Sequence, residues 1–135
     1  MDYKLEVMVL PVADVDRSKA FYEQLGFHTD VDTQPNENFR IVQLTPPGSA
    51  CSIIVGKGLT TAPPGSAQAT TLVVGDIETA RAELVERGVD VSDFFHFGPE
   101  GQEPGLHPDR EDYGSFVAFG DPDGNNWLVQ ERPGG

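Results

Sequence analysis

Only one cysteine, Cys51, occurs in the chain, so no intrachain disulfide can form. It reads as a small apolar residue of a strand; a catalytic thiol would need a histidine or cationic neighbour. Basic residues are scarce too. Nine Lys and Arg stand against 22 Asp and Glu, a formal net charge of −13. Phosphate recognition needs clustered Lys and Arg, so nucleic acid is excluded as a partner and anionic membrane surfaces are disfavoured. An acidic surface confers solubility and favours a cationic ligand over an anionic one. No apolar run approaches the ~18–20 residues that span a bilayer. The opening MDYKLEVMVL lacks the basic start, apolar middle and small-residue cleavage site of a secretory signal, so a cytoplasmic location is the expectation. Hydrophobic residues make up 38% of 135 residues, enough for one core but not for two independent ones.

What is present is a repeat. The segment Val12-Ala13-Asp14-Val15-Asp16 through Gly26-Phe27 matches Val74-Gly75-Asp76-Ile77-Glu78 through Gly88-Val89 at an offset of 62 (76 − 14; 88 − 26). Thr45-Pro46-Pro47-Gly48-Ser49 matches Asp121-Pro122-Asp123-Gly124-Asn125 at an offset of 76 (121 − 45), which places about 14 extra residues in the second half. Each repeat opens with an apolar strand, Leu5–Val12 or Thr70–Val74. An Asp in the position of a helix N-cap follows, Asp14 or Asp76. Apolar residues then recur at helical spacing until Gly26 or Gly88 closes the helix. Three strand-like runs come next: Phe27–Asp32, Phe39–Thr45 and Cys51–Val55 in the first half, Val89–His96, Ser115–Phe119 and Trp127–Glu131 in the second. The pattern predicts an α+β chain of two βαβββ modules, residues 1–56 and 69–135. A Gly/Pro-rich linker over 57–68 joins them, and the second carries an insertion around 97–113. A module of ~60 residues buries too little surface to stand alone, so two must pack together, within one chain or by exchange in a homodimer.

Three stretches carry a family resemblance. VLPVADVDRSKAFYEQLGF resembles the opening module of vicinal-oxygen-chelate proteins, the glyoxalase/bleomycin-resistance/dioxygenase group; LVVGDIETARAELVERGVDV resembles the second module; GSFVAFGDPDGNNWLVQE is similar to the closing hairpin. The resemblance implies curved sheets around a cavity, with helices on the outer face, and commonly a homodimer. Members range from enzymes to drug-sequestering proteins, so fold alone does not name the chemistry. It also implies four metal-ligand positions. Two are usually His, seven residues before each helix-opening Asp; here they are Val7 (14 − 7) and Ala69 (76 − 7). Two are usually Glu on each module's last strand; here they are Leu128 and, at the repeat offset, Ser52 (128 − 76). Three of these carry no donor atom and a lone hydroxyl is a poor ligand, so no metal and no other cofactor is expected. His96, His107, Asp109 and Glu111 are the groups from which a relocated site would have to be built, and a solvated loop is the simpler reading of them. His28 reads as an exposed strand residue.

Strand alternation phased on Leu128 turns Asn126 and Gln130 toward the cavity and packs Trp127 and Val129 beneath the helices. The same phase puts Val7, Val9, Ser52, Ile54, Ala69, Thr71 and Val73 on the cavity side. That wall suits a small organic ligand, although such side chains can equally fill a small barrel. In the insertion, His96, His107, Asp109, Arg110 and Tyr113 carry useful chemistry. A neutral His can accept a proton, and Arg or Tyr can donate to a developing oxyanion. His96 and Tyr113 are the strongest of these because each flanks a strand. Two functions fit. The first is a metal-independent lyase or isomerase acting on a small oxygenated metabolite; glyoxalase and extradiol dioxygenase activities, which need the metal, are not expected. The second is a non-catalytic protein that sequesters a drug or metabolite, for which the charge favours a cationic antibiotic.

Overall fold

A computed structural model describes residues 1–134; Gly135, the last residue of the expected second module, lies outside them. Among the described residues are two helices and nine strands in two open sheets, and the α+β architecture with two modules is as expected. The chain divides into two compact units, Met1–Ala67 with Asp121–Asn125, and Gln68–Gly120 with Asn126–Gly134.

The first unit runs β1 (Val7–Val9), α1 (Val15–Gln24), β2 (His28–Asn36), β3 (Phe39–Thr45) and β4 (Ser52–Lys57), with sheet order β1-β4-β3-β2. Asp14 caps α1 as expected, its carboxylate accepting from the Arg17 N–H at 3.0 Å. Gly26 follows the helix at φ 95°, a conformation cheap only without a Cβ. One face of the sheet lies under α1. Val42, Leu44, Ile53 and Val55 fill it at alternate positions, together with Tyr22, Leu25 and Phe27. β1 is shorter than the predicted Leu5–Val12. The ladder bond from the Leu10 N–H to the Ile54 carbonyl is its last, and Pro11 has no N–H to continue it.

The turn Asp121–Asn125 belongs to this unit although it joins two strands of the other. Asp121 is buried and accepts from the Tyr22 hydroxyl (2.7 Å), the Asn125 side-chain amide (2.8 Å) and the N–H groups of Asn125 and Asp123 (both 2.9 Å). Asn125 donates to the Pro11 carbonyl at 2.8 Å and accepts from the Ala67 N–H at 3.0 Å. Gly65 packs so closely here that a Cβ would lie 2.1 Å from the Asp123 carbonyl oxygen. The DPDGN motif is therefore a clamp on α1 and on residues 65–67, as well as a turn.

The second unit runs β5 (Thr70–Val74), α2 (Ile77–Glu86), β6 (Phe95–Gly98), β7 (Gly101–Pro104), β8 (Ser115–Gly120) and β9 (Asn126–Glu131), with sheet order β5-β9-β8-β6-β7. Asp76 caps α2 through the Glu78 and Thr79 N–H groups. Trp127 and Val129 are buried with Val117, Phe119 and Ile77, and the Trp127 and Phe119 rings stack at 5.9 Å. The predicted strand Val89–His96 is corrected to a single bridge, Val91 to Phe119, followed by β6. The Ser92 hydroxyl takes the Ala118 N–H at 2.8 Å, where a strand backbone carbonyl would otherwise continue the ladder. The insertion is likewise more ordered than a loop. Its first part folds back as β7 and adds an edge strand to the sheet.

Candidate ligand-binding face

Each sheet has one face under its helix and one open face. In β9, Trp127, Val129 and Glu131 lie under α2, while Asn126, Leu128 and Gln130 are half-exposed on the open side, the phase expected from alternation. Register extends this face. Leu128 lies opposite Ala118 and Thr71, Gln130 opposite Phe116 and Val73, and Phe116 opposite Phe95. A groove of about 560 Å³ opens there, floored by Leu128, Ala118, Phe95 and Pro104 and bordered by Asn126, Gln102, Ser92, Phe94, Asp93 and Glu103. Among the described residues no Lys or Arg lines it. Beside the groove, Phe95, Phe97 and Phe116 form a ring cluster with centroids 5.3–5.9 Å apart, and Phe97 is 55% exposed.

Of the ten residues expected on the cavity side, Thr71, Val73, Asn126, Leu128 and Gln130 lie on this face. Val7, Val9, Ser52 and Ile54 lie on the open face of the first sheet, with Val7 opposite Ser52 and Val9 opposite Ile54. Val9 and Val73 are well exposed, whereas Ser52 is buried. Ala69 stands in the left-handed region, φ 58°, just before β5 begins, and its N–H donates to the Asn126 side chain. Alternation therefore does not reach it, and Thr71, not Ala69, lies opposite Leu128.

The insertion's chemical groups are placed elsewhere. His96 lies opposite Ser115 in the ladder, which puts its side chain on the helix side, one residue out of phase with Phe95 and Phe97. It is buried, with Nδ1 2.8 Å from the Gly105 carbonyl and Nε2 3.1 Å from the Glu103 carboxylate. The His107 ring centroid is 6.0 Å away, and its Nδ1 accepts from the Asp109 N–H while Nε2 faces Glu111 at 3.6 Å. Arg110, at φ 50°, gives its guanidinium to Glu131 (2.9 and 2.6 Å) and Glu78 (3.0 Å). The same Glu131 carboxylate, 1% exposed, accepts the Ile77 N–H at the start of α2. The Arg110 pairing holds the Glu131 carboxyl below the ordinary carboxylate range, against the opposing effect of burial. Asp109 is exposed. Tyr113 is 48% exposed beneath the Arg132 guanidinium, and its carbonyl accepts from Gln130 at 3.0 Å. His96 and His107 are thus brought together, Arg110 is committed to an ion pair, and none of the five lines the groove.

The groove's own aromatic and acidic residues were missed in the sequence. The signal available was the run Phe94-Phe95-His96-Phe97, in which alternation separates the phenylalanines at 95 and 97 from the histidine between them.

A family profile, the Glyoxalase/Bleomycin resistance protein/Dioxygenase superfamily, matches residues 4–129. The chain belongs to this superfamily. Among solved structures it is similar to TnmS3, an antibiotic binding protein from Streptomyces sp. CB03234, at 31% identity over 97% of each chain with a TM-score of 0.74. A glyoxalase/bleomycin resistance protein from the same organism is 32% identical over 94% of this chain and 99% of that one, TM-score 0.70. A superfamily member from Sphaerobacter thermophilus is 27% identical over 97% and 98%, TM-score 0.73. A search of curated proteins returned no match.

The superfamily's metal-dependent members imply a metal centre, and the residues here do not fit one. Val7 faces Ser52 across β1 and β4, and Thr71 faces Leu128 across β5 and β9. Two of these four are hydrocarbon, and the Ser52 hydroxyl already bonds Thr45 at 2.6 Å. Among the described residues no group of three or more His, Cys, Asp or Glu is placed to hold an ion. Elemental analysis of chain purified without chelators is expected to find far less than one divalent ion per chain. One ion per chain would show that the ligand assignment is wrong.

Proposed function

We propose that this chain is a non-catalytic binding protein that sequesters a flat, apolar organic molecule bearing positive charge. The observation that carries this is the open-face groove of the second sheet. Its floor is hydrocarbon and aromatic, its border holds amides and the Asp93 carboxylate, and the His96 imidazole lies on the other face, paired with Glu103. Aromatic faces take planar ligands by stacking; no Lys or Arg is among the groove's described lining residues, and in a chain of net charge −13 this favours a cation although Asp93 pairs with Arg81 and Glu103 with His96. Similarity to an antibiotic binding protein supports the same reading. The metal-independent lyase or isomerase is less well supported. It would need His96, Tyr113, Arg110, Asp109 and His107 at the ligand, and their side chains are engaged or exposed away from the groove. A homodimer is part of the proposal, because the open faces leave Val9, Val31, Val73 and Phe97 exposed at 41–55% in a single chain. Light scattering at the mass of two chains would support it, and the mass of one would oppose it. We also place the protein in the cytoplasm, where an intracellular drug target would be shielded; cell fractionation tests this.

The test is binding of an anthracycline, a planar tetracycle carrying an ammonium group, followed by fluorescence anisotropy. Saturable binding with the compound recovered unchanged is expected. Leu128→Lys places a cation in the groove floor and should weaken binding by about tenfold or more, roughly 1.4 kcal/mol. Phe97→Ala should cost about three- to tenfold with little change in melting temperature, since the ring is largely exposed. Conversion of the compound, or binding indifferent to both substitutions, would sink the proposal.

A further inference from the structure

A second polar site is built into the first unit, on the open face of its own sheet. β2 is bulged between Thr29 and Val31, and the extra residue is Asp30. The bulge changes the phase of the strand. His28 lies opposite Thr45 and Val31 opposite Gln43 on the open side, while Thr29 meets Glu23 of α1 and Asp32 meets Lys19 and Arg40 under the helix. The two neighbouring carboxylates therefore differ. Asp32 is neutralised by two cations. Among the described residues Asp30 pairs with no Lys or Arg. Its partners are the His28 Nδ1 at 2.9 Å, the Thr45 hydroxyl and the Gln43 side chain.

The hydrogen bonds beyond Asp30 have a direction. A carboxylate only accepts, so Thr45 must spend its single hydroxyl hydrogen on Asp30. The 2.6 Å contact between Thr45 and Ser52 must then be a donation from Ser52 to Thr45. Both hydroxyl protons run toward Asp30, so the hydroxyl oxygens offer only lone pairs; Ser52 is buried and fixes Thr45, and the half-exposed Thr45 oxygen with the exposed Asp30 carboxylate forms the accessible end of the string. Val31, Ile41 and Ile54 share the open side by register and supply an apolar surround. An anion or a hydrogen-bond acceptor finds nothing to pair with on the hydroxyls; an N–H cation finds a fixed carboxylate and oriented oxygens.

We propose that the Asp30–Thr45–Ser52 string is a recognition site for an ammonium group carried by an organic ligand. The proposal concerns the first unit alone and does not depend on the groove of the second. The test is a two-dimensional amide NMR titration of the full chain with benzylamine, protonated at neutral pH, and with benzyl alcohol as its uncharged counterpart. Benzylamine is expected to shift the amides of Asp30, Val31, Thr45 and Ser52 saturably, and benzyl alcohol to bind at least tenfold more weakly. Asp30→Asn should abolish the preference for the amine. Thr45→Val, which breaks the string but keeps the carboxylate and the shape, should weaken the amine several-fold and serves if the first variant fails to fold. Phe97→Ala should leave these shifts unchanged. Equal response to both probes, shifts spread over the acidic surface, or an unaltered titration in Thr45→Val would overturn the proposal.

Discussion

Replacing Asp121 by Ala is expected to cost about 3–5 kcal/mol of folding stability, at about 1.5–3 kcal/mol for a hydrogen bond to a charged group, partly offset by relaxation. Four donors converge on this buried carboxylate, two of them from side chains that are themselves buried, Tyr22 and Asn125. Removing it takes one acceptor from the Tyr22 hydroxyl and loosens Asn125, which also holds Pro11 and residue 67. Domains of this size have only ~5–15 kcal/mol in hand, so the variant should approach unfolding at 37 °C. Urea denaturation measures the loss, and amide exchange should locate it in α1 and residues 65–67. Asp121→Asn, which keeps an acceptor oxygen, should lose roughly half as much. A loss under about 1 kcal/mol for Asp121→Ala would mean that the motif is only a turn.

Arg110→Ala should destabilise by about 2–4 kcal/mol at neutral pH; breaking a buried pair costs about 3–5 kcal/mol, discounted because the Arg110 side chain is 38% exposed. What remains is Glu131, nearly fully buried, with the Ile77 N–H as its hydrogen-bond donor among the described residues and the Asp76 carboxylate nearby. The pH dependence follows from the direction of its shift. In the native protein the Glu131 carboxyl titrates below its ordinary value of 4.5. Its contribution is fully present above that pH and is lost as pH falls through the lower native value. Asp32 behaves the same way: Arg40, then Lys19, hold its carboxyl down to about 2, so its share is lost between about 4 and 2. Without Arg110, burial is opposed only by the Ile77 N–H, and the Glu131 carboxyl moves upward, so the variant binds a proton more readily on folding. The melting-temperature gap between the two proteins should therefore be widest near pH 7 and should narrow below pH 4.5. A gap that stays constant with pH would show that Arg110 acts through packing of its stem. Arg110→Met paired with Glu131→Gln should recover much of the loss, because no charge is then left buried. This ion pair also accounts for the insertion's position. Arg110, at positive φ, ties the 105–114 segment to β9 and to the first turn of α2.

Much of this protein is legible in its residues. Asp14 and Asp76 mark both helix starts because a short carboxylate before an apolar periodic run satisfies the free N–H groups of the first turn. The alternation through Asn126–Glu131 predicts which of its side chains are buried, because successive residues of a strand face opposite sides. The loss of metal ligands at Val7 and Leu128 needs no coordinates, since a hydrocarbon side chain has no donor atom. Other features depend on pairing register, and here local sequence is silent. Whether His96 or its phenylalanine neighbours face the ligand side depends on which residue of β8 lies opposite, and a slip of one residue exchanges the faces. The bulge at Asp30 likewise turns adjacent acidic positions to opposite sides of the sheet. Arg110 reads in the sequence as a free cation on a polar loop, and only its three-dimensional neighbours reveal that Glu131 and Glu78 have claimed it. Short-range periodicity thus determined most of the elements and both helix caps, and the family resemblance pointed to the missing donor atoms at Val7 and Leu128. Tertiary structure decided which polar groups remain free to meet a ligand, because that depends on contacts between residues far apart in the chain.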